Sequence, residues 1–281
     1  MELNIGIRAH DIENQATLEG LVEEISSKGL TSVQLALGKS FGDLNTSVGS
    51  LSPGFARHIG DAFGKKDVQI AVLGCYIHMI HPDKEKRKQE LDRFKEHIRF
   101  ARDFGCSIVG TETGNVNEKT GYTVDNFEEQ PFLDVVDSVR ELVEEAEKFG
   151  VIVAIEGGIN HPVHTPKKLR RLLDCIDSPN LQVIFDPANF LDPDNYHRQE
   201  EVLQEAMDLL GDRMVIMHAK DFVIEDGWIK MVPVGTGLLN YDAIFKLIKP
   251  KKPFINVLLE NTREPYINDS IAFLKQKYEQ A

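Results

Sequence analysis

Apolar and polar positions alternate along this chain in two rhythms that take turns. Short β-rich runs read "LNIGIR" (3–8), "SVQLAL" (32–37), "VQIAVLG" (68–74), "SIVGT" (107–111), "VIVAIE" (151–156), "LQVIFD" (181–186), "MVIMHA" (214–219) and "FINVLLE" (254–260). Several are apolar on both alternating faces, the pattern of parallel strands covered on each side. Between them the period lengthens to that of amphipathic helices. Phe132, Val136, Val139, Val143 and Ala146 recur at steps of four and three, and Gly150 follows as a terminator. Leu91, Phe94, Ile98 and Ala101 do the same and stop at Gly105. Thr165 and Pro166 ahead of Leu169, Leu172 and Leu173 form an N-cap with proline at the first helical position.

Eight strand–helix units in 281 residues predict a single α/β domain over 1–281, a (β/α)8 TIM barrel. The competitor, an open doubly wound sheet, is weakened because no G-x-G-x-x-G follows the first strand. Four less regular segments, 38–53, 112–129, 157–164 and 222–238, follow strands and fall on the rim where such barrels place their sites.

Four successive strands end on a residue able to ligate a metal: Glu156, Asp186, His218 and Glu260. Each has an ordinary alternative. Asp186 before Pro187 suits a turn, Glu156 before two glycines suits a solvated strand end, His218 suits a hydrogen-bonded core, and Glu260 suits a pair with Arg263. In a barrel, however, all four converge on one cavity, where three carboxylates repel unless protonated or bridged by a cation. The mostly oxygen donor set favours Mn²⁺, Mg²⁺ or Co²⁺, with Zn²⁺ also compatible.

Composition narrows the partners. The 45 acids against 32 bases give a formal charge of −13, which argues against nucleic acid or an anionic membrane. Three widely spaced cysteines (Cys75, Cys106, Cys175) read as reduced core residues, and no long apolar span occurs, so a cytoplasmic location is expected. His58, His97 and His197 read as surface histidines.

The stretches "VAIEGG", "QVIFDPAN", "MHAKDF", "PVGTGLLNY" and "VLLEN" resemble the sugar phosphate isomerase/epimerase family with the xylose-isomerase-like barrel. The resemblance implies one divalent ion held by Glu156, Asp186, His218 and Glu260, and an isomerase acting on a small sugar or sugar phosphate. It puts Asn189 and Lys220 in the substrate shell, Lys220 being otherwise a solvated loop lysine. Among polar residues on the same rim (His10, His78, His81), His161 and Glu112 are taken as substrate-binding candidates. Gly235 and Gly237 offer either a phosphate site or a tight turn. The expected mechanism removes and returns a proton beside a ketose carbonyl through an enediolate, with Glu156 and Glu260 as the acid/base pair. The alternatives are an inosose-type dehydratase and an endonuclease IV-like phosphodiesterase. The second needs more metal-binding histidines, and Asn189 stands where one would be. Family members are commonly homo-oligomers.

Overall fold

The computed structural model describes residues 2–13, 17–41, 44–119 and 121–281. The segments predicted as 38–53 and 112–129 therefore include residues 42, 43 and 120, which lie outside the described residues. Strands β1 (Ile5–Arg8), β2 (Ser32–Leu35), β3 (Gln69–Gly74), β4 (Ile108–Glu112), β5 (Ile152–Glu156), β6 (Leu181–Phe185) and β7 (Met214–Ala219) each overlap a predicted run. Two further strands, β8 (Asp221–Glu225) and β9 (Trp228–Val232), come before the last barrel strand, β10 (Asn256–Leu259). Parallel pairing closes the cylinder in the order β1-β10-β7-β6-β5-β4-β3-β2.

Helices cover the outside: α1 (Leu18–Ser27), α2 (Leu37–Ser40), α3 (Pro53–Gly64), α4 (Lys84–Phe100), α5 (Glu129–Phe149), α6 (Pro166–Ile176), α7 (Gln199–Leu210), α8 (Tyr241–Ile248) and α9 (Ile267–Gln280). Their ends follow local chemistry. Thr165 accepts the amide of Lys168 at 3.1 Å and starts α6, and Gly150, at φ 62°, ends α5 in the left-handed region. On α5, Phe132, Val136, Val139, Val143 and Ala146 are all buried, so the helical stripe faces the barrel.

A strand's period of two decides what enters the lumen. Ala154, Ile184, Ile216 and Leu258 pack together with Ala71 and Val72 as a small apolar cluster. Two residues further along the same faces come Glu156, Asp186, His218 and Glu260. The cluster is thus a dry plug directly beneath the polar end, and it forces the acids to find partners in one another's neighbourhood. Gly110 leaves room in this layer: a Cβ there would lie 2.6 Å from Ile184 Cδ1 and 3.1 Å from Val72 Cγ2.

Three expectations need correction. Residues 222–238 are not irregular throughout, because β8 and β9 form an antiparallel hairpin turning at Asp226 and Gly227. His97 is buried, with its Nδ1 2.9 Å from the Arg93 carbonyl, since it shares the inner face of α4 with Phe94 and Ile98. Cys75 and Cys106 are core residues, but Cys175 is exposed on the outer side of α6. No described helix is long and apolar enough to cross a membrane.

Candidate metal centre

The four strand-end residues meet. One ligand atom from each of Glu156, Asp186, His218 and Glu260 lies within 4.8 Å of the others. All four are buried, Asp186 and His218 at 0% exposure. Asp186 Oδ2, His218 Nδ1 and Glu260 Oε2 make no well-aligned hydrogen bond, although each has charged neighbours in reach. These buried atoms are held by opposite charge alone, Asp186 Oδ2 by Lys220 Nζ at 2.7 Å and His218 Nδ1 and Glu260 Oε2 by each other at 2.8 Å. Three of them converging from three strands fit a divalent cation, and the donor set of carboxylate oxygens and one imidazole suits it.

The surrounding charges show how the protein copes with its acids. Lys220 Nζ lies 2.7 Å from Asp186, 2.8 Å from Glu260 and 3.7 Å from Glu156, and it donates to Asn189 Oδ1 at 3.1 Å. It is therefore packed among the acids, not out in a solvated loop. Asn189 in turn donates to Glu156 Oε1 at 2.7 Å. His218 Nδ1 sits 2.8 Å from Glu260 and 3.2 Å from Glu156. Burial opposes charge on this imidazole, but Glu156 and Glu260 outweigh it and raise it to about 10. Burial pushes the Asp186 carboxyl up to about 6, against the pull of Lys220. Burial would raise Glu260 too, yet Lys220, His218 and Arg8 together hold it well below the usual carboxylate range.

These shifts fix the sign of a measurable linkage. A metal takes neutral imidazole, so at pH 8 uptake should release close to one proton, from His218. Affinity should climb as pH rises toward about 10 and fall more steeply below about 6, where Asp186 also holds a proton. For metal-free stability the direction is opposite. The folded value of His218 lies above the unfolded 6.5, so its contribution is full below 6.5 and is lost as pH rises through about 10. Titration calorimetry in buffers of different ionisation enthalpy counts the protons, and equal heats in all buffers would contradict the assignment.

Several residues around the acids carry no signal of their own in the sequence. Arg8 ends β1 and reaches Glu260 Oε1 at 2.6 Å while donating to both oxygens of Asp11 at 2.9 and 3.1 Å and to Asn261 Oδ1 at 2.9 Å. Asn261 holds a left-handed φ of 56°, and its amide returns to Asp11 at 3.0 Å. This network locks the guanidinium against Glu260.

A cavity of about 910 Å³ opens in front of Lys220 and Asn189. Glu112 and His161 line it, and so do Tyr122, Phe127 and, from the hairpin, Trp228 and Met231. Glu112, the last residue of β4, pairs in register with Glu156; burial, with Glu156 beside it, raises its carboxyl above the ordinary value. His161 Nδ1 is 3.0 Å from the Gly114 carbonyl, which turns Nε2 toward Glu112 at 3.8 Å. His10 and His81 do not line this cavity. Gly235 and Gly237 form a tight turn whose amides are taken: both donate to Asp221 Oδ2, at 2.9 and 3.0 Å, leaving neither for a phosphate.

Comparison with known proteins agrees with this architecture. A 3-oxo-isoapionate decarboxylase from Pectobacterium atrosepticum is 34% identical over 96 residues, 32% of this chain and 33% of that protein. The match thus spans about a third of the relative's length. A D-tagatose 3-epimerase-like protein superposes with a TM-score of 0.76 at 19% identity, covering 100% of this chain and 98% of the other. The IOLI protein, crystallised with a zinc atom, superposes with a TM-score of 0.70 at 18% identity, covering 100% and 96%. At such identities these likenesses speak for the fold. The family described as xylose isomerase-like TIM barrel matches residues 22–277, and the chain belongs to it.

Proposed function

We propose that this protein is a divalent-metal-dependent isomerase or epimerase that forms and reprotonates an enediolate of a small keto sugar or keto-sugar phosphate. One observation carries the reading: four buried ligand atoms within 4.8 Å of one another include two glutamates, each with a second oxygen held by other groups. Glu156, Asp186, His218 and Glu260 would hold the ion, which supplies Lewis-acid stabilisation of charge developing on the substrate oxygens. Mn²⁺, Mg²⁺, Co²⁺ and Zn²⁺ all suit the donors.

The chain's own residues do the rest. Glu260 is kept ionised and serves as base on one face of the substrate; Glu156, steadied by Asn189, serves on the other. Return of the proton on the opposite face inverts the carbon, and return to the adjacent carbon isomerises. Lys220, Glu112 and His161 bind substrate oxygens at the wall of the cavity, to which the hairpin contributes Trp228 and Met231.

The Pectobacterium match favours a second reading, decarboxylation of a 3-oxo acid. There the carbon–carbon bond to the carboxylate breaks, its electron pair forms the enediolate, carbon dioxide leaves, and a proton drawn from water and relayed by one of the glutamates is added to the carbon that lost it. The base step disappears and the acid step remains.

Incubation in heavy water with ketoses, ketose phosphates, inososes and 3-oxo aldonic acids separates the readings. Isomerase chemistry gives deuterium at the carbon beside the carbonyl with carbon count unchanged. Decarboxylation gives carbon dioxide, and dehydration gives a product lighter by water. The chain's single tryptophan is Trp228, 74% exposed at the cavity, so its fluorescence reports binding independently of turnover. No exchange, no gas and no fluorescence change with any of these compounds would remove the proposal.

A further inference from the structure

His218 has a second nitrogen, and the lumen provides for it. Its Nε2 lies 2.7 Å from Oε1 of Gln34, which reaches from β2 across the barrel. Gln34 is 2% exposed, and a buried amide in a strand is costly unless both its ends are paired. Its other end is paired as well: Nε2 donates to the Tyr76 hydroxyl at 2.5 Å. Register between β2 and β3 shifts between Val33 and Gln34, a bulge of the kind that re-aims a side chain. Gly74 stands beside the contact. A Cβ there would come within 3.2 Å of Gln34 Nε2 and 3.4 Å of the Tyr76 ring, so glycine keeps the passage open.

We propose that Gln34 and Tyr76 are positioning residues that hold His218 in the tautomer and rotation that turn a bare Nδ1 toward the metal. The logic is one of donors and acceptors. With its amine end bound to Tyr76, Gln34 presents only its carbonyl to His218, so Nε2 carries the hydrogen. Nδ1 is then the atom freed for ligation, and it is the imidazole nitrogen that faces the cluster, 2.8 Å from Glu260 and 3.2 Å from Glu156. With the amide reversed, an N–H would face Nε2 and the ring's hydrogen would move to Nδ1, aimed at the ion. Tyr76 therefore acts through Gln34, and Gln34 through His218. Neither touches the substrate in this assignment. A lone glutamine within "SVQLAL" is the only trace of it in the sequence.

The inference rests on the metal reading above, and the test tells their failures apart. The full chain is stripped with a chelator and titrated with Zn²⁺ against a chromophoric chelator at neutral pH, alongside Gln34→Leu, Gln34→Glu and Tyr76→Phe. Imidazole nitrogen spectra of ¹⁵N-histidine protein are recorded with and without Zn²⁺. Outer partners of metal-bound histidines are worth about 10–100-fold in affinity, so Gln34→Leu should lose that much. Gln34→Glu keeps the acceptor and should bind at least as tightly as wild type; Tyr76→Phe should lose less than Gln34→Leu. In the loaded wild type, His218 should show hydrogen on Nε2 and metal on Nδ1. Should Gln34→Leu fail to fold, Tyr76→Phe and the wild-type spectra decide. A Gln34→Leu affinity within about twofold of wild type, or hydrogen on Nδ1 in the loaded protein, overturns the inference while leaving the metal centre intact. Wild-type protein that takes up no Zn²⁺ overturns both.

Discussion

In the Glu260→Gln variant, inversion of a keto sugar falls by about 10²–10⁴, the usual worth of a positioned acid or base, while a divalent ion is still taken up. Glutamine matches the shape of the carboxylate and keeps an oxygen to offer the ion. It cannot accept the substrate proton. Glu260 is suited to begin ionised, because Lys220 at 2.8 Å, His218 at 2.8 Å and Arg8 at 2.6 Å outweigh its burial. The two faces of the substrate make the outcome specific. Deuterium exchange should vanish from the epimer whose hydrogen faces Glu260 and persist, without inversion, in the epimer served by Glu156. Glu156→Gln should give the mirror result. If the true reaction is decarboxylation, carbon dioxide release starts without a base, and the variant should slow protonation far more than gas evolution. Proton NMR of substrates recovered from heavy water reads all of this, and unchanged exchange in both epimers would remove Glu260 from the chemistry.

The barrel was legible because each strand must be apolar on the face toward the helices, whatever its inner face carries. "MVIMHA" shows this: Val215 and Met217 alternate with Ile216 and His218, so one polar residue at the mouth leaves the pattern intact. The convergence of Glu156, Asp186, His218 and Glu260 was legible for a related reason, since four successive runs end on an acid or a histidine at the same end of the barrel. Their partners were not. Gln34 meets His218 across 184 residues and Arg8 meets Asn261 across 253, and no local period records such pairs. The hairpin is different, since its signal was present. Phe222 and Ile224 alternate into Asp226-Gly227, and Ile229 and Met231 alternate out of it, the pattern of a tight two-residue turn. It was hidden by lying on the rim, where irregular backbone was expected. His97 likewise falls three residues after Phe94 and one before Ile98, on the inward stripe of α4; its polarity argued for the surface and its position for the core, and position prevailed.

Lys220→Met should destabilise the metal-free protein by about 3–5 kcal/mol, the penalty for removing one partner of a buried ion pair, and divalent metal should restore most of it. Lys220 is 5% exposed and touches all three acids of the cluster, so without the ion it is their principal counter-charge. Methionine fills a similar volume and brings no charge. Asp186, Glu156 and Glu260 then share only the imidazolium of His218 and the guanidinium of Arg8, and the nearest relief is proton uptake by Asp186, already raised to about 6. Because that uptake is available only at low pH, the deficit should widen as pH rises above about 6, which separates it from simple loss of packing. A divalent ion brings its two charges to the same oxygens and makes the lysine's charge dispensable for folding. Urea midpoints at pH 6 and pH 8, with and without Zn²⁺ or Mn²⁺, test this directly. The metal-induced gain should be larger for Lys220→Met than for wild type, and larger still at the higher pH. Equal midpoints for the two proteins without metal would mean that the acids are neutralised by some other means. If metal restores stability but not turnover, Lys220 has a second duty at the substrate, where it faces the cavity beside Asn189.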